Sequence, residues 1–332
     1  MFVLKYLFLT LGGVTLFLLG LKSMSENMQQ LSGNKMQKVI KTFTKNRVCG
    51  VFSGAVSTAL MQSSIATNVI VTSFVSSGIL SLSSGCAVIM GANIGTTITA
   101  QLVSLSGSSG FDMAAIGSLV SFIGFLISFS KDKKLECVGG VMAGFGMLFL
   151  GLNVISDSIV FFKDFNAFRN FFLVDNKLLL FLNGIIITAL VQSSSAVTSV
   201  IIILATNGLL GFENSMFLIL GSNIGSCVSV IIASLSKNQD GRSAAYFNLF
   251  FNLIGSLALI IPLSIYSSEI SCVFMSFSSS IERAIANFHT LFNVFVTLII
   301  MPVLTPIVKF ITIIVGDNKV KQSKLEKGFK YV

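Results

Sequence analysis

From Val48 to Ser130 the chain carries one charged side chain, Asp112, and from Leu178 to Leu235 it carries one, Glu213. Water-soluble domains average roughly 25% charged residues, so stretches this long and this uncharged belong in a non-aqueous setting. Several of the apolar runs reach the roughly 20 residues that a helix needs to cross a bilayer. The composition agrees, with 53% of the 332 residues hydrophobic and 11% charged. The expected fold class is an all-α polytopic membrane protein. The first apolar run, 3–21, is followed by no small-x-small cleavage pattern and reads as a membrane helix rather than a secretion signal. Cys49, Cys86, Cys137, Cys227 and Cys272 show no CxxC or Cys/His clustering. They read as packing residues, and neither a disulfide framework, a transition-metal site nor an organic cofactor is expected.

Inside this apolar chain one polar cluster occurs twice, as MQSSIATNV (61–69) and VQSSSAVTS (191–199). The interval from Gln62 to Gln192 is also the interval from GANIG (91–95) to GSNIG (221–225), with no gap between the two matches. Upstream, LFLLGLKSMSE (16–26) matches LFLGLNVISD (148–157), pairing Gly20 with Gly151 and Glu26 with Asp157 at an interval one position longer. The spacing predicts an internal duplication. Repeat one covers 1–136 and repeat two 137–268, followed by a final helix over 269–315 and a basic tail, 316–332. Each repeat is expected to hold an apolar helix (3–21; 137–160) and a polar connector (22–47; 161–177). A Gln-Ser-Ser stretch follows (48–77; 178–206), then a helix broken at Gly-x-Asn-Ile-Gly (84–105; 212–235) and a further apolar helix (111–130; 244–266).

A stretch of about 30 residues with a polar middle is too long for one untilted span. It fits two half-helices meeting at a tip, a re-entrant hairpin, which is tolerated at membrane depth only where buried in protein or lining a wet cavity. The count is then about seven full spans plus two hairpins. Charge placement favours that count: 17 of the 22 Lys and Arg fall on one face and 5 on the other, a positive-inside pattern. It predicts a multi-pass cell-membrane protein with its N-terminus outside, its C-terminus cytoplasmic, and repeats of inverted topology. The net charge of +9 is spread over membrane-adjacent loops facing anionic lipid, which disfavours nucleic acid as a partner. A homodimer is kept open as the assembly.

Inverted repeats are a recurrent plan of secondary transporters, with the substrate near the midplane. Hairpin one offers Ser57, Thr58, Gln62, Ser63, Ser64, Thr67 and Asn68; hairpin two offers Thr188, Gln192, Ser193, Ser194, Ser195, Thr198 and Ser199. Hydroxyls, amides and helix N-termini hold anions, while side-chain oxygens and freed carbonyls coordinate sodium. A proton-coupled carrier would show an acid or histidine embedded in the pathway. The residues therefore point to sodium-coupled anion transport by alternating access. Close packing is the competing reading of Gly91, Gly95, Gly221 and Gly225, whereas packing alone accounts less well for Asn93 and Asn223.

The paired QSSI/QSSS and GANIG/GSNIG motifs, with FHTLFN (288–293) and the proline-containing last helix around Pro302, resemble the type II sodium/phosphate cotransporter family over essentially the whole chain. The resemblance implies a sodium-coupled carrier of inorganic phosphate and no enzyme activity. It implies Gln62, Ser63, Ser64, Gln192, Ser193, Ser194 and Ser195 as the phosphate site. Thr67, Asn68, Asn93, Thr96, Thr198, Asn223 and Ser226 are the sodium candidates. Three departures stand out: Ile65 replaces a third serine, Asn248 stands where a histidine is usual, and the chain stops soon after its last helix. Many bacterial members continue there into a regulator-like helical domain. His289, the one histidine, reads first as a hydrogen-bonded packing residue. The competing functions are a sodium-coupled carrier of sulfate or a dicarboxylate, an anion channel, and an intramembrane serine hydrolase. The last lacks a base beside its serine.

Overall fold

The computed structural model describes residues 2–44, 46–105, 112–165 and 176–316. Among them the regular elements are all helical. Helix α1 (Phe2–Thr42) is followed by α2 (Arg47–Met61), α3 (Ser64–Ser76), α4 (Leu82–Val103), α5 (Met113–Ile127) and α6 (Lys133–Ile159). Then come α7 (Lys177–Val191), α8 (Ser194–Thr206), α9 (Phe212–Gly225), α10 (Cys227–Ser234) and α11 (Gln239–Ile265). The described chain closes with α12 (Ser267–Ser276), α13 (Ile281–Ile300) and α14 (Leu304–Val315). The basic tail beyond Gly316 and most of the 161–177 connector lie outside the described residues. Large apolar side chains such as Phe52, Phe122, Phe129 and Ile313 face outward, which suits a surface solvated by lipid rather than water.

Six described helices are long and apolar enough to cross a membrane, beginning with Val3–Thr42 and ending with Ile281–Ile300. The expected seventh span, 111–130, gives the 15-residue α5, about 22 Å at 1.5 Å per residue, short of a hydrocarbon core of about 30 Å. The expected connector 22–47 is helical as far as Thr42. Its sequence has no proline and one glycine, Gly33, and it buries Met24, Met36 and Ile40, so nothing in it stops the helix. The single final helix expected over 269–315 is three helices. Residues 301–303 form a turn around Pro302, which cannot donate to the preceding turn.

The first Gly-x-Asn-Ile-Gly segment does not break its helix, whereas the helix is interrupted directly after the second. Helix α4 runs through Gly91 and Gly95 without interruption. Gly225 ends α9, but Ser226 keeps helical angles before α10. The glycines allow backbones to touch. A Cβ on Gly91 would overlap the Val51 carbonyl oxygen, and one on Gly221 the Phe181 carbonyl oxygen. Gly54 and Gly184 face Val88 and Leu218 in the same way from the other side. Helices α2 and α4, and α7 and α9, are thereby locked backbone to backbone. The α1–α6 crossing is built likewise: Gly20 faces the Gly144 carbonyl and Gly151 the Gly13 carbonyl.

The N-terminal ends of α2 and α7 are pinned by cations that lie at the same interval in sequence as Gln62 and Gln192. Arg47 donates to the Met301 carbonyl at 3.1 Å, beside the turn at Pro302, and to Thr305 Oγ1. Lys177 donates to the Ser264 carbonyl and to Ser267 Oγ, both at 2.9 Å, at the end of α11.

Candidate functional site

Between α2 and α3, and again between α7 and α8, the helix is interrupted for two residues, Gln-Ser. Gln62 (φ 50°, ψ 28°) and Gln192 (φ 59°, ψ 23°) are the described non-glycine residues with positive φ. A side chain with a Cβ is disfavoured in that left-handed conformation by roughly 1–2 kcal/mol. The same strained conformation is thus held at two matched positions, of the kind that clusters at functional sites. Ser63 and Ser193 then cap the next helices, accepting from the Ala66 and Ala196 amides at 3.1 and 3.2 Å. Thr58 donates to Thr67 Oγ1 at 2.9 Å, tying α2 to α3 just behind the first tip.

The two tips share one cavity of about 240 Å³, roughly eight water volumes at about 30 Å³ each. Gln62, Ser63, Ser64, Gln192, Ser193, Ser194 and Ser195, all seven residues nominated for phosphate, line it, together with Ile65 and Ser226. The first turns of α3 and α8 start at this cavity, so two positive helix ends meet there. The last turns of α2 and α7 lead into the tips, and there the Met61 carbonyl accepts from Ser25 and the Ala59 carbonyl from Gln62. Each tip therefore presents serine hydroxyls and a helix N-terminus to the cavity.

The tips differ in how they are held. Gln62 Oε1 accepts from Thr99 Oγ1 at 2.9 Å and its Nε2 donates to the Ala59 carbonyl at 2.6 Å. Gln192 is exposed to the cavity, and among the described residues its amide side chain makes no hydrogen bond. The counterpart of Thr99 in the second repeat is Ser229, whose buried hydroxyl also has no partner.

The sodium candidates scatter more widely. Of the seven, Ser226 lines the cavity. Thr67 and Asn68 are buried in α3 and Thr198 in α8. The Asn68 Oδ1 and Thr198 Oγ1 oxygens, at matching positions of the two repeats, are buried without a partner. Thr96 donates to its own helix, at the Ala92 carbonyl. Asn93 and Asn223 serve helix–helix contacts. Asn93 donates to Asn248 Oδ1 at 2.9 Å and accepts from Asn252 at 3.1 Å, and Asn223 Oδ1 meets His289 Nε2 at 3.1 Å. His289 is thus a buried, hydrogen-bonded packing residue, and Asn248, its counterpart in the resembling segment, takes the matching place against Asn93.

Sequence reasoning expected a first helix but missed its share of the cavity. Leu18, Leu21, Lys22 and Ser25 line the cavity, spaced i, i+3, i+4 and i+7 on one helix face. Ser25 Oγ donates to the Met61 carbonyl at 3.0 Å, fixing α1 to the first tip. The spacing was visible, but a helix ended at residue 21 could not carry Lys22 or Ser25 into the site.

The sequence profile of the family described as Na+/Pi-cotransporter matches residues 16–157 and 166–300. The chain belongs to the Na+/Pi-cotransporter family. It is 26% identical to the uncharacterized protein YqeW of Bacillus subtilis, over 87% of this chain and 92% of that protein. It is also 26% identical to the Escherichia coli protein named "Putative inorganic phosphate export protein YjbB", over 93% of this chain but 55% of the relative's length. Human sodium-dependent phosphate transport protein 2B is 30% identical over 44% of this chain and 20% of its own. No solved structure matches the chain. The family is one of transporters, and the six long apolar helices fit a multi-pass membrane protein.

Proposed function

We propose that this member of the family is a sodium-coupled carrier of inorganic phosphate, working by alternating access around the two Gln-Ser tips. The observation that carries the reading is the shared cavity. Two matched helix N-termini, two strained glutamines and a set of serine hydroxyls converge on a space suited to a compact oxyanion. None of the tip residues is acidic or basic, so at the tips the anion is held by neutral donors and helix ends, with Lys22 of α1 also lining the cavity, and sodium supplies further compensating charge. The unpartnered Asn68 and Thr198 oxygens behind the tips are acceptors of the kind sodium takes. The names of the relatives, phosphate export in one and sodium-dependent phosphate transport in others, support the same substrate; direction then follows the ion gradients.

In this reading α2–α3 and α7–α8 are re-entrant hairpins entering from opposite faces, within inverted repeats. The Lys22 side of the cavity faces the cytoplasm, as the charge distribution predicts. Sulfate or a dicarboxylate is the competing cargo. Equilibrium binding of radiolabelled phosphate to purified protein separates them. Binding is expected in sodium and not in choline, displaced by unlabelled phosphate far better than by sulfate or succinate. Sodium-independent binding, or displacement by sulfate at equal concentration, contradicts the proposal.

A further inference from the structure

A second cavity, of about 150 Å³, lies away from the tips and is lined by Phe149, Leu152, Asn153 and Ser156 of α6, with Asp112 and the far end of α8. These four α6 positions match, one for one and at the Gly20-to-Gly151 interval, Leu18, Leu21, Lys22 and Ser25, the four α1 positions that line the tip cavity. The same helix face thus meets a cavity in both halves of the chain. Ile203 and Thr206, which border the second cavity, lie about 14–18 Å along α8 from its start at the tip, at 1.5 Å per residue. The second cavity is therefore on the side of the molecule from which α8 enters, away from the tip cavity.

The two faces carry opposite charge. Lys22 lines the first cavity; its side chain is 67% exposed, and its ion-pair partner is Glu26 at 3.9 Å on the same helix. So loose a pair leaves the ammonium free for an anion. The matching position on α6 is neutral, Asn153, and the acidic side chain at the second cavity is Asp112, whose Oδ1 caps α5 at Ala114 and Ala115.

We infer that Lys22 is an anion-capturing and specificity residue on one side of the carrier only, and that Asn153 and Asp112 form the matched, weakly binding vestibule on the other. The inference rests on the phosphate and inverted-repeat reading above. When the tips turn to the opposite side, the α6 face takes the place that the α1 face now holds, and the anion meets a neutral amide and a carboxylate instead of an ammonium. Phosphate then binds more tightly from the Lys22 face and leaves more readily at the other. Because the charge sits at an exposed rim, salt screens it.

The test is phosphate transport kinetics in proteoliposomes of known orientation, measured from each face. Wild-type protein is expected to show a lower KM from the Lys22 face. K22N should raise that KM about three- to tenfold and leave the KM from the other face unchanged. The difference should shrink as ionic strength rises, and K22R should retain the wild-type KM. The reciprocal N153K should lower the KM from the opposite face. Saturable wild-type transport with the same KM in K22N overturns the role of Lys22 and leaves the phosphate reading intact. A wild-type protein that moves no phosphate overturns both.

Discussion

Replacing Gln192 by glycine separates the backbone role of the tips from their chemistry. The left-handed conformation at φ 59° costs a residue with a Cβ roughly 1–2 kcal/mol. Glycine removes that cost but adds about 0.5–1 kcal/mol of unfolded-state entropy. Among the described residues the Gln192 amide makes no hydrogen bond, so nothing else is lost, and Q192G should be neutral or more stable by up to about 1.5 kcal/mol. Gln62 adds its bonds to Thr99 and Ala59, each worth about 0.5–1.5 kcal/mol. Q62G should therefore lie about 1–3 kcal/mol below Q192G, a gap of several degrees in thermal midpoint. The chain has no tryptophan, so the midpoint is best read as the fraction that elutes as a monodisperse peak after heating in detergent. Both variants should lose sodium-dependent phosphate uptake, although one is as stable as the parent. A Q192G protein that folds and transports at the parental rate refutes the assignment of that side chain as a ligand.

Q62A and Q192A should likewise abolish uptake while the protein still reaches the membrane, measured by transport alongside surface expression. G91A should lower the yield of folded protein sharply, by more than about 3 kcal/mol of stability, because its Cβ overlaps the Val51 carbonyl oxygen in a packed interior; G33A, with open space around it, should stabilise α1 by about 0.5–1 kcal/mol. R47A, which frees the Met301 carbonyl and Thr305, should lower the thermal midpoint more than it changes the KM for phosphate. H289N should keep both folding and the pH profile of transport, since His289 acts as a packing partner of Asn223; a changed profile would assign it a proton-handling role.

The cavity lining was legible in the sequence because the tip motif is local. Gln-Ser-Ser needs no distant partner to interrupt the helix and start a capped one, and the seven residues that the family resemblance nominates line one cavity. What was not legible depended on neighbours. Gly91 and Gly95 look like helix breakers in isolation, yet the backbone of α2 packed against them makes glycine the residue that lets α4 continue. Asn93 and Asn223 read as site residues, and the sequence did not show that Asn248 and His289, far along the chain, hydrogen-bond to them. The polar composition of 22–42 resembles a loop. Its helix is maintained by burying Met24, Met36 and Ile40, and only that continuity carries Lys22 to the tips.

The central claim, that sodium drives phosphate through the cavity between the two tips, is tested most directly by radiolabelled phosphate uptake into proteoliposomes. Uptake should be saturable, should accumulate phosphate above its equilibrium level under an inward sodium gradient, and should vanish in Q62A and Q192A. Accumulation that is indifferent to the sodium gradient, or that persists in both variants, would contradict the account.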